Sequence, residues 1–361
     1  MWLIMTILGL SACTGGATRP PLIPPTLRSP IIRPQSSAVL PTSTETATPT
    51  STSTATPIPQ ITLEAVGDIM LARTVGDQIL AKGPEIVFAG VQSILDSADI
   101  RVGNLECSIT ARNSQEKKSF PLKAPPQAVQ ALSLAKFDLV SLANNHSMDY
   151  GYAGLTDTQI TLSQSGIATV GAGLDATAAH TPVIFERNGL RLAFLAYADV
   201  MPENSGFDAR NWIATQSQPG IAWADPDTIK TDVTAAKLRA DLVVVMLHSG
   251  YEINSTVSIN QRTEAHAAID AGAALVLGSH PHILQAIEHY HGGLIAYSLG
   301  NFVFDQYLGI ENATIILRVV LDRTGFLRYD YVPVLIENGL PVITPIDNVR
   351  GIETLIAPAT P

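Results

Sequence analysis

The feature that most constrains this chain is a repeated one: short apolar runs stop abruptly at a residue able to bind a cation. Ala273-Ala274-Leu275-Val276-Leu277 stops at Gly278-Ser279 and delivers His280-Pro281-His282. Leu242-Val243-Val244-Val245-Met246-Leu247 ends in His248, and the run from Phe137 to Ala143 leads straight into Asn144-Asn145-His146. Ile100-Arg101-Val102 meets Gly103-Asn104-Leu105-Glu106, and the alternating stretch from Ile61 to Val66 meets Gly67-Asp68. Short apolar runs bounded by turn residues fit buried strands. In α/β proteins, ligands gather where such strands hand over to loops at the carboxyl edge of a sheet.

The intervals between these runs read largely as helices, over residues 75–82, 86–98, 127–135, 154–165, 229–239 and 262–271. Apolar residues recur there at helical spacing, as at Val87, Val91, Ile94 and Leu95. Asn188-Gly189 between two apolar segments is a hairpin signal. Residues 293–302 read as one further strand, and residues 314–320, 325–334 and 341–343 alternate like antiparallel strands. Residues 201–232, rich in Pro, Gly, Asn and Asp, form a long loop expected near the mouth of a site. Strands alternating with helices, plus antiparallel additions, give an α/β fold with mixed sheets.

A chain of 361 residues with 46% hydrophobic and 15% charged residues can bury a large core. Its formal net charge of −10 argues against nucleic acid as a partner. Residues 1–12 are almost wholly apolar, too short a run to span a bilayer, and read as the core of a secretory signal. No basic residue precedes them. Leu10-Ser11-Ala12-Cys13 resembles a bacterial lipobox, so acylation of Cys13 would tether the chain to the outer face of a membrane. Residues 13–60 then form a Ser/Thr/Pro-rich linker that cannot bury enough apolar surface to order itself. Arg19, Arg28 and Arg33 against Glu45 leave that linker at +2, so the remainder carries −12. The expected location is extracytoplasmic, either membrane-anchored or secreted.

If the strand ends converge, they offer two carboxylates, an amide oxygen and up to four imidazoles in one cleft. Hard oxygens mixed with imidazoles suit Mn, Fe or Zn better than Ca or a thiolate site. One carboxylate could then bridge a pair of ions, as in two-metal hydrolysis.

The ordered motifs Gly67-Asp68, Asn104-Leu105-Glu106, Asn144-Asn145-His146, His248-Ser249-Gly250-Tyr251-Glu252, Gly278-Ser279-His280-Pro281-His282 and Ser298-Leu299-Gly300-Asn301-Phe302 resemble those of the CapA family. These are capsule or poly-γ-glutamate synthesis proteins of the PgsA type, related to calcineurin-like metallophosphoesterases. The resemblance covers roughly residues 61–305. It implies a metallophosphoesterase-like four-layer sandwich, two mixed β-sheets flanked by helices, with a main domain over residues 61–309 and C-terminal strands over 310–361 completing the sheets. It further implies two divalent metal ions. Asp68 corresponds to the first-motif aspartate, Glu106 to the bridging carboxylate and Asn145 to the amide ligand. His248 and His280 correspond to ligands of the second metal and His282 to a ligand of the first, while His146 is the acid or transition-state stabiliser. Related phosphoesterases carry Asp-x-His in the first motif, whereas the third position here is Met70. The implied partners are an anionic polymer such as poly-γ-glutamate or a capsule synthase membrane complex. Two other readings are a secreted metallophosphoesterase or amidase unrelated to capsule, and a non-catalytic accessory that binds polymer.

Overall fold

The computed structural model describes residues 58–306, 309 and 312–348, so the expected signal, the Cys13 lipobox and nearly all of the linker lie outside the described residues. Fourteen strands make up two principal sheets. In chain order they are β1 (Gln60–Ile69), β2 (Ile100–Leu105), β3 (Leu139–Ser141), β4 (Ala168–Val170), β5 (Val183–Arg187), β6 (Leu190–Val200) and β7 (Leu242–Gly250). They continue with β8 (Leu275–Ser279), β9 (Ile287–Tyr290), β10 (Gly293–Ala296), β11 (Asn301–Val303), β12 (Ala313–Asp322), β13 (Gly325–Glu337) and β14 (Leu340–Ile343). The first sheet runs β14-β13-β12-β1-β2-β3-β4, with β11 paired to the end of β1. The second runs β9-β10-β8-β7-β6-β5. In each, a parallel centre is flanked by antiparallel strands, β12 beside β1 in the first sheet and β5 and β9 at the edges of the second.

The period of two along the strands of the second sheet assigns its faces. Leu192, Phe194, Ala196, Leu242, Val244, Met246, Leu275 and Leu277 join Ile61, Leu63, Ala65, Ile100 and Val102 of the first sheet in one core. Their neighbours Ala193, Leu195, Val243, Val245 and Val276 pack instead with Ile229 and Val233 of helix α4 (Pro226–Lys237) and with Ala265 and Ala268 of α5 (Ile259–Asp270). On the first sheet's side, α1 (Arg73–Lys82), α2 (Val129–Leu134) and α3 (Gly151–Gln164) bring Val75, Ile79, Ala131, Leu132, Leu155 and Leu162 into the shared core. The result is the expected sandwich, two mixed sheets face to face with helices outside. Each fully buried Leu or Val stabilises it by roughly 1.5–3 kcal/mol.

Three expected elements differ, the first being the loop read over residues 201–232, in which Ala209–Trp212 form a 3-10 turn, Gly220–Ile221 a short strand, and α4 already begins at Pro226. Residues 86–98 form turns around a four-residue helix, Gln92–Leu95, rather than one long helix. Gly90 sits where an added Cβ would come 2.6 Å from the Pro341 carbonyl oxygen, so the chain has no room to continue as a regular helix with side chains all round. Val87, Val91 and Leu95 are buried nonetheless, so the pattern was one of burial rather than of helix. Residues 293–302 form two strands, β10 in the second sheet and β11 in the first. Gly300, with φ +69°, turns the chain from one sheet to the other.

That crossing holds the two sheets together at their strand ends. The Asp68 N–H donates to the Gly300 carbonyl at 2.9 Å. A Cβ on Gly67 would stand 1.8 Å from the same oxygen, and one on Gly278 would stand 1.9 Å from the Tyr297 carbonyl. Both motif glycines thus permit backbone to approach backbone just before a residue of the site.

Candidate metal centre

The first sheet contributes oxygens. Asp68 lies in β1 in register with Asn104 of β2 on one side and Asn301 of β11 on the other, so all three side chains share a face. Asn104 Nδ2 donates to Asp68 Oδ1 at 2.8 Å, and Asn104 Oδ1 accepts from Asn144 Nδ2 at 2.9 Å. Asn144 Oδ1 in turn accepts from the His146 N–H at 2.9 Å, which fixes the Asn144-Asn145-His146 turn after β3. Glu106 follows β2 directly and is fully buried.

The second sheet contributes imidazoles. His248 lies in β7, with Nδ1 2.9 Å from Ser279 Oγ and Nε2 2.9 Å from Asn145 Oδ1. His280 and His282 follow β8, both with positive φ, 95° and 59°, a backbone state that non-glycine residues hold only where the surroundings enforce it. His282 Nδ1 lies 2.9 Å from Asn301 Oδ1 and 3.4 Å from Asp68 Oδ2. His146, on the first sheet's side, has Nδ1 2.7 Å from Asp149 Oδ2. In His146 and His282 a neighbour occupies Nδ1 and leaves Nε2 turned inward, while His248 has a neighbour at each nitrogen.

All three Nε2 atoms point to one place. Glu106 Oε1 lies 3.9 Å from His146 Nε2, 4.0 Å from His248 Nε2 and 3.8 Å from His282 Nε2. These gaps are too long for hydrogen bonds. Glu106 Oε1 accepts none, although it is buried, and buried His280 Nδ1 also has no hydrogen-bond partner. An ion bonded at about 2.1 Å to each of two donors separates them by roughly 3–4 Å, depending on the angle between the bonds. The Glu106–His248 and Glu106–His282 gaps fall in that interval, so the residues present fit divalent ions. Asp68, Glu106 and His282 form one group of close donor atoms, and Glu252, His280 and His282 form another.

The electrostatics agree. Burial, reinforced by the neighbouring His282, pushes His280 down to about 3. Burial and the adjacent His280 hold His248 well below the ordinary histidine value, and burial lowers His146 against the pull of Asp149. His282 goes the other way: burial opposes its charge, but the Asp68 carboxylate outweighs that and raises it. Burial, with Asp68 beside it, pushes the Glu106 carboxyl well above its usual range. Neutral imidazoles are ligands, and a cation among two buried carboxylates relieves their repulsion.

The centre opens into a cavity of about 310 Å³ whose walls include Asn145, His146, His280 and Glu252. Met201, Pro202, Glu203 and Asn204 of the long loop close one side, as expected of a loop at the mouth.

Residues 62–306 match the profile of the bacterial capsule synthesis protein family PGA_cap. The chain belongs to this family. It is 34% identical over 288 residues to the PGA biosynthesis protein CapA of Bacillus subtilis, covering 79% of this chain and 74% of that protein. It is 34% identical over 290 residues to the capsule biosynthesis protein CapA of Bacillus anthracis, covering 78% and 69%. Among solved structures it is similar to a 5'-nucleotidase from Candida albicans, with TM-score 0.44, 13% identity, and coverage of 76% of this chain and 54% of that one. A hypothetical protein from Thermus thermophilus gives TM-score 0.43, 16% identity, and coverage of 78% and 96%.

Several residues of this PGA_cap chain do things that the sequence did not reveal. Asp149 accepts from Leu122 N–H at 2.5 Å, pairs with Lys118 Nζ at 2.9 Å and contacts His146. Tyr150 occupies the cap position of α3 without a side-chain bond. Lys118, from the polar loop before β3, is fully buried against Asp149 and Glu203, with its ammonium over the Phe207 and Trp212 rings. Nothing in a run of polar loop residues marks one lysine as buried. Arg73 is taken up by Asp305, and Lys123 by the Arg112 carbonyl and Asn113. Met70 is fully buried, and its sulfur accepts from the Ala72 N–H at 3.1 Å. Cys107 is buried and free, its thiol pushed by burial to about 12, as suits a packing residue.

Proposed function

We propose that this chain acts in making, exporting or anchoring an anionic capsule polymer of the poly-γ-glutamate type, through a centre of two divalent ions, Mn, Fe or Zn. The observation that carries the metal reading is Glu106 Oε1, buried, without a hydrogen bond, and 3.8–4.0 Å from three inward Nε2 atoms. Membership of the PGA_cap family, and the capsule roles that the names of the Bacillus relatives state, support the polymer class. Asp68, Glu106 and His282 would hold one ion, and Asn145, His248 and His280 would complete the other with the shared Glu106. When bound, such ions polarise a phosphoryl or carbonyl oxygen and lower the pKa of water.

The chain's own part in a hydrolysis rests on His146. His146 lines the cavity, its Nε2 lies 3.9 Å from Glu106 Oε1, and burial favours the neutral ring. A neutral ring accepts a proton at Nε2 from the attacking water and returns it to the leaving group. Asp149 at Nδ1 fixes the tautomer and stabilises the imidazolium between the two transfers. Asn144 holds the backbone of the same residue.

A non-catalytic, polymer-binding role is the second reading. Met70 favours it, because the sulfur is turned to the Ala72 N–H and the first motif supplies no imidazole there. Elemental analysis of the purified full chain should give bound transition metal that is lost in the His280→Ala, His282→Ala double variant. Metal-free protein after reconstitution would remove both metal readings. Phosphomonoesters, phosphodiesters and γ-glutamyl peptides then divide catalysis from binding, because an absence of turnover with metal bound leaves only the accessory role.

The chain is further proposed to be tethered outside the cytoplasm through acylated Cys13. The expected result is membrane association that disappears in Cys13→Ser; unchanged fractionation defeats the anchor.

A further inference from the structure

Glu252 stands outside the set of ligands considered so far. It lies two residues beyond the end of β7, is solvent-exposed, and lines the cavity beside His280 and His146. Its carboxylate, a ring nitrogen of His280 and a ring nitrogen of His282 lie within 4.8 Å of one another. The loop that carries it is not free to swing. The Ile253 N–H donates to the Pro281 carbonyl at 2.9 Å, so the residue after Glu252 is tied to the residue between the two histidines. Gly250 has φ 113° and Ile253 has φ 54°. A β-branched residue enters that region only under constraint, so the backbone on both sides of Glu252 is bent to a fixed path. Gln285 holds the next turn, its Nε2 donating to the Asn254 carbonyl at 2.7 Å.

The first motif, meanwhile, lacks a donor. Met70 Sδ is 3.1 Å from the Ala72 nitrogen and fully buried, and a thioether is a weak ligand for hard divalent ions. His282 belongs both to the group with Asp68 and Glu106 and to the group with Glu252 and His280.

We infer that Glu252 is a direct metal ligand, supplying from the cavity side the donor that the first motif does not provide at Met70. This rests on the metal reading above and extends it. With Asp68 and Glu106 the centre then holds three carboxylates against two divalent ions, leaving a net charge of +1 to attract an anionic group of the substrate. Because Glu252 is the exposed member, the ion it binds is the more easily exchanged.

The test is metal binding to the full chain, independent of turnover. Apo protein is titrated with Mn²⁺ followed by EPR, and with Co²⁺ followed by visible absorption, in the parent and in Glu252→Gln and Glu252→Asp. Glu252 is exposed, so neither variant should disturb folding, which circular dichroism checks. The expected result is two ions in the parent, with the weaker one lost or weakened at least tenfold in Glu252→Gln, partly restored in Glu252→Asp, and the tighter one unchanged. A changed Co²⁺ band for the weaker ion alone would mark altered coordination. Two ions of parental affinity and spectrum in Glu252→Gln would overturn the assignment while leaving the metal reading intact. A parent chain that binds no ion overturns both.

Discussion

The two sheets contribute to the centre in different chemical currencies. The first supplies oxygens, Asp68 from β1, Glu106 after β2 and Asn145 after β3, and the second supplies nitrogens, His248 from β7 and His280 and His282 after β8. Neither half resembles a metal site alone. The carboxylates of the first would repel each other in a buried setting, and the imidazoles of the second would be neutral rings without a counter-charge. The amides Asn104, Asn145 and Asn301 stitch the halves together, each reaching from the first sheet to a histidine of the second. The difference teaches that any metal affinity of this centre would measure the packing of one sheet on the other as much as the identity of any ligand.

The strongest way to break the comparison is at the crossing. Gly67→Val would drive a side chain into the Gly300 carbonyl, and the backbone on both sides is strand-paired. The expected loss is about 3 kcal/mol of unfolding free energy in urea, with loss of metal as well. Retained stability and retained metal would show that the strand ends are not rigidly opposed.

Next in size is the removal of one ligand from each sheet. Asp68→Asn and His248→Ala should each lower metal affinity by at least roughly 10–100-fold, measured by competition with a chelator. If only one of the two matters, the halves are unequal and the centre belongs to a single sheet.

His146→Gln should keep both ions and lower the turnover of whichever ester or amide the panel identifies by about 100-fold or more. Loss of metal in that variant would make His146 a ligand rather than a proton carrier.

The last effect lies away from the centre. Burial, with Asp199 adjacent, raises the Glu264 carboxyl to about 9. Between its ordinary range and that value the folded protein holds a proton that the unfolded chain has released. The stability contributed is therefore complete at low pH and is lost as pH rises towards 9, with a slope of up to about 1.4 kcal/mol per unit. Denaturation midpoints measured from pH 5 to pH 9 should show this decline, and Glu264→Gln should make it shallower, leaving the part due to Glu106. An unchanged slope in Glu264→Gln would assign the decline to another group.

Much of this was legible before any coordinates. The apolar runs ending in Asp68, Glu106, Asn145, His248 and His280 gave strands and a list of donors, because burial and strand termination are both written locally. Helix α5 was readable over nearly its full length for the same reason, with Ser258 and Gln261 forming a reciprocal cap at its start. Residues 86–98 misled, because burial of Val87, Val91 and Leu95 has a helical period whether or not the backbone is helical.

What the sequence determined by itself is a list of candidate donors, the glycines before Asp68 and Ser279, and the family to which those motifs belong. What only the tertiary structure decided is which nitrogen of each imidazole turns inward, that Asp149 and Lys118 stand behind His146, and that Glu252 reaches the two histidines after β8. These depend on contacts between residues far apart in the chain. A hydrogen bond from Asn301 to His282, or from Ile253 to Pro281, leaves no periodic trace in either segment, so only the packed sheets can set it.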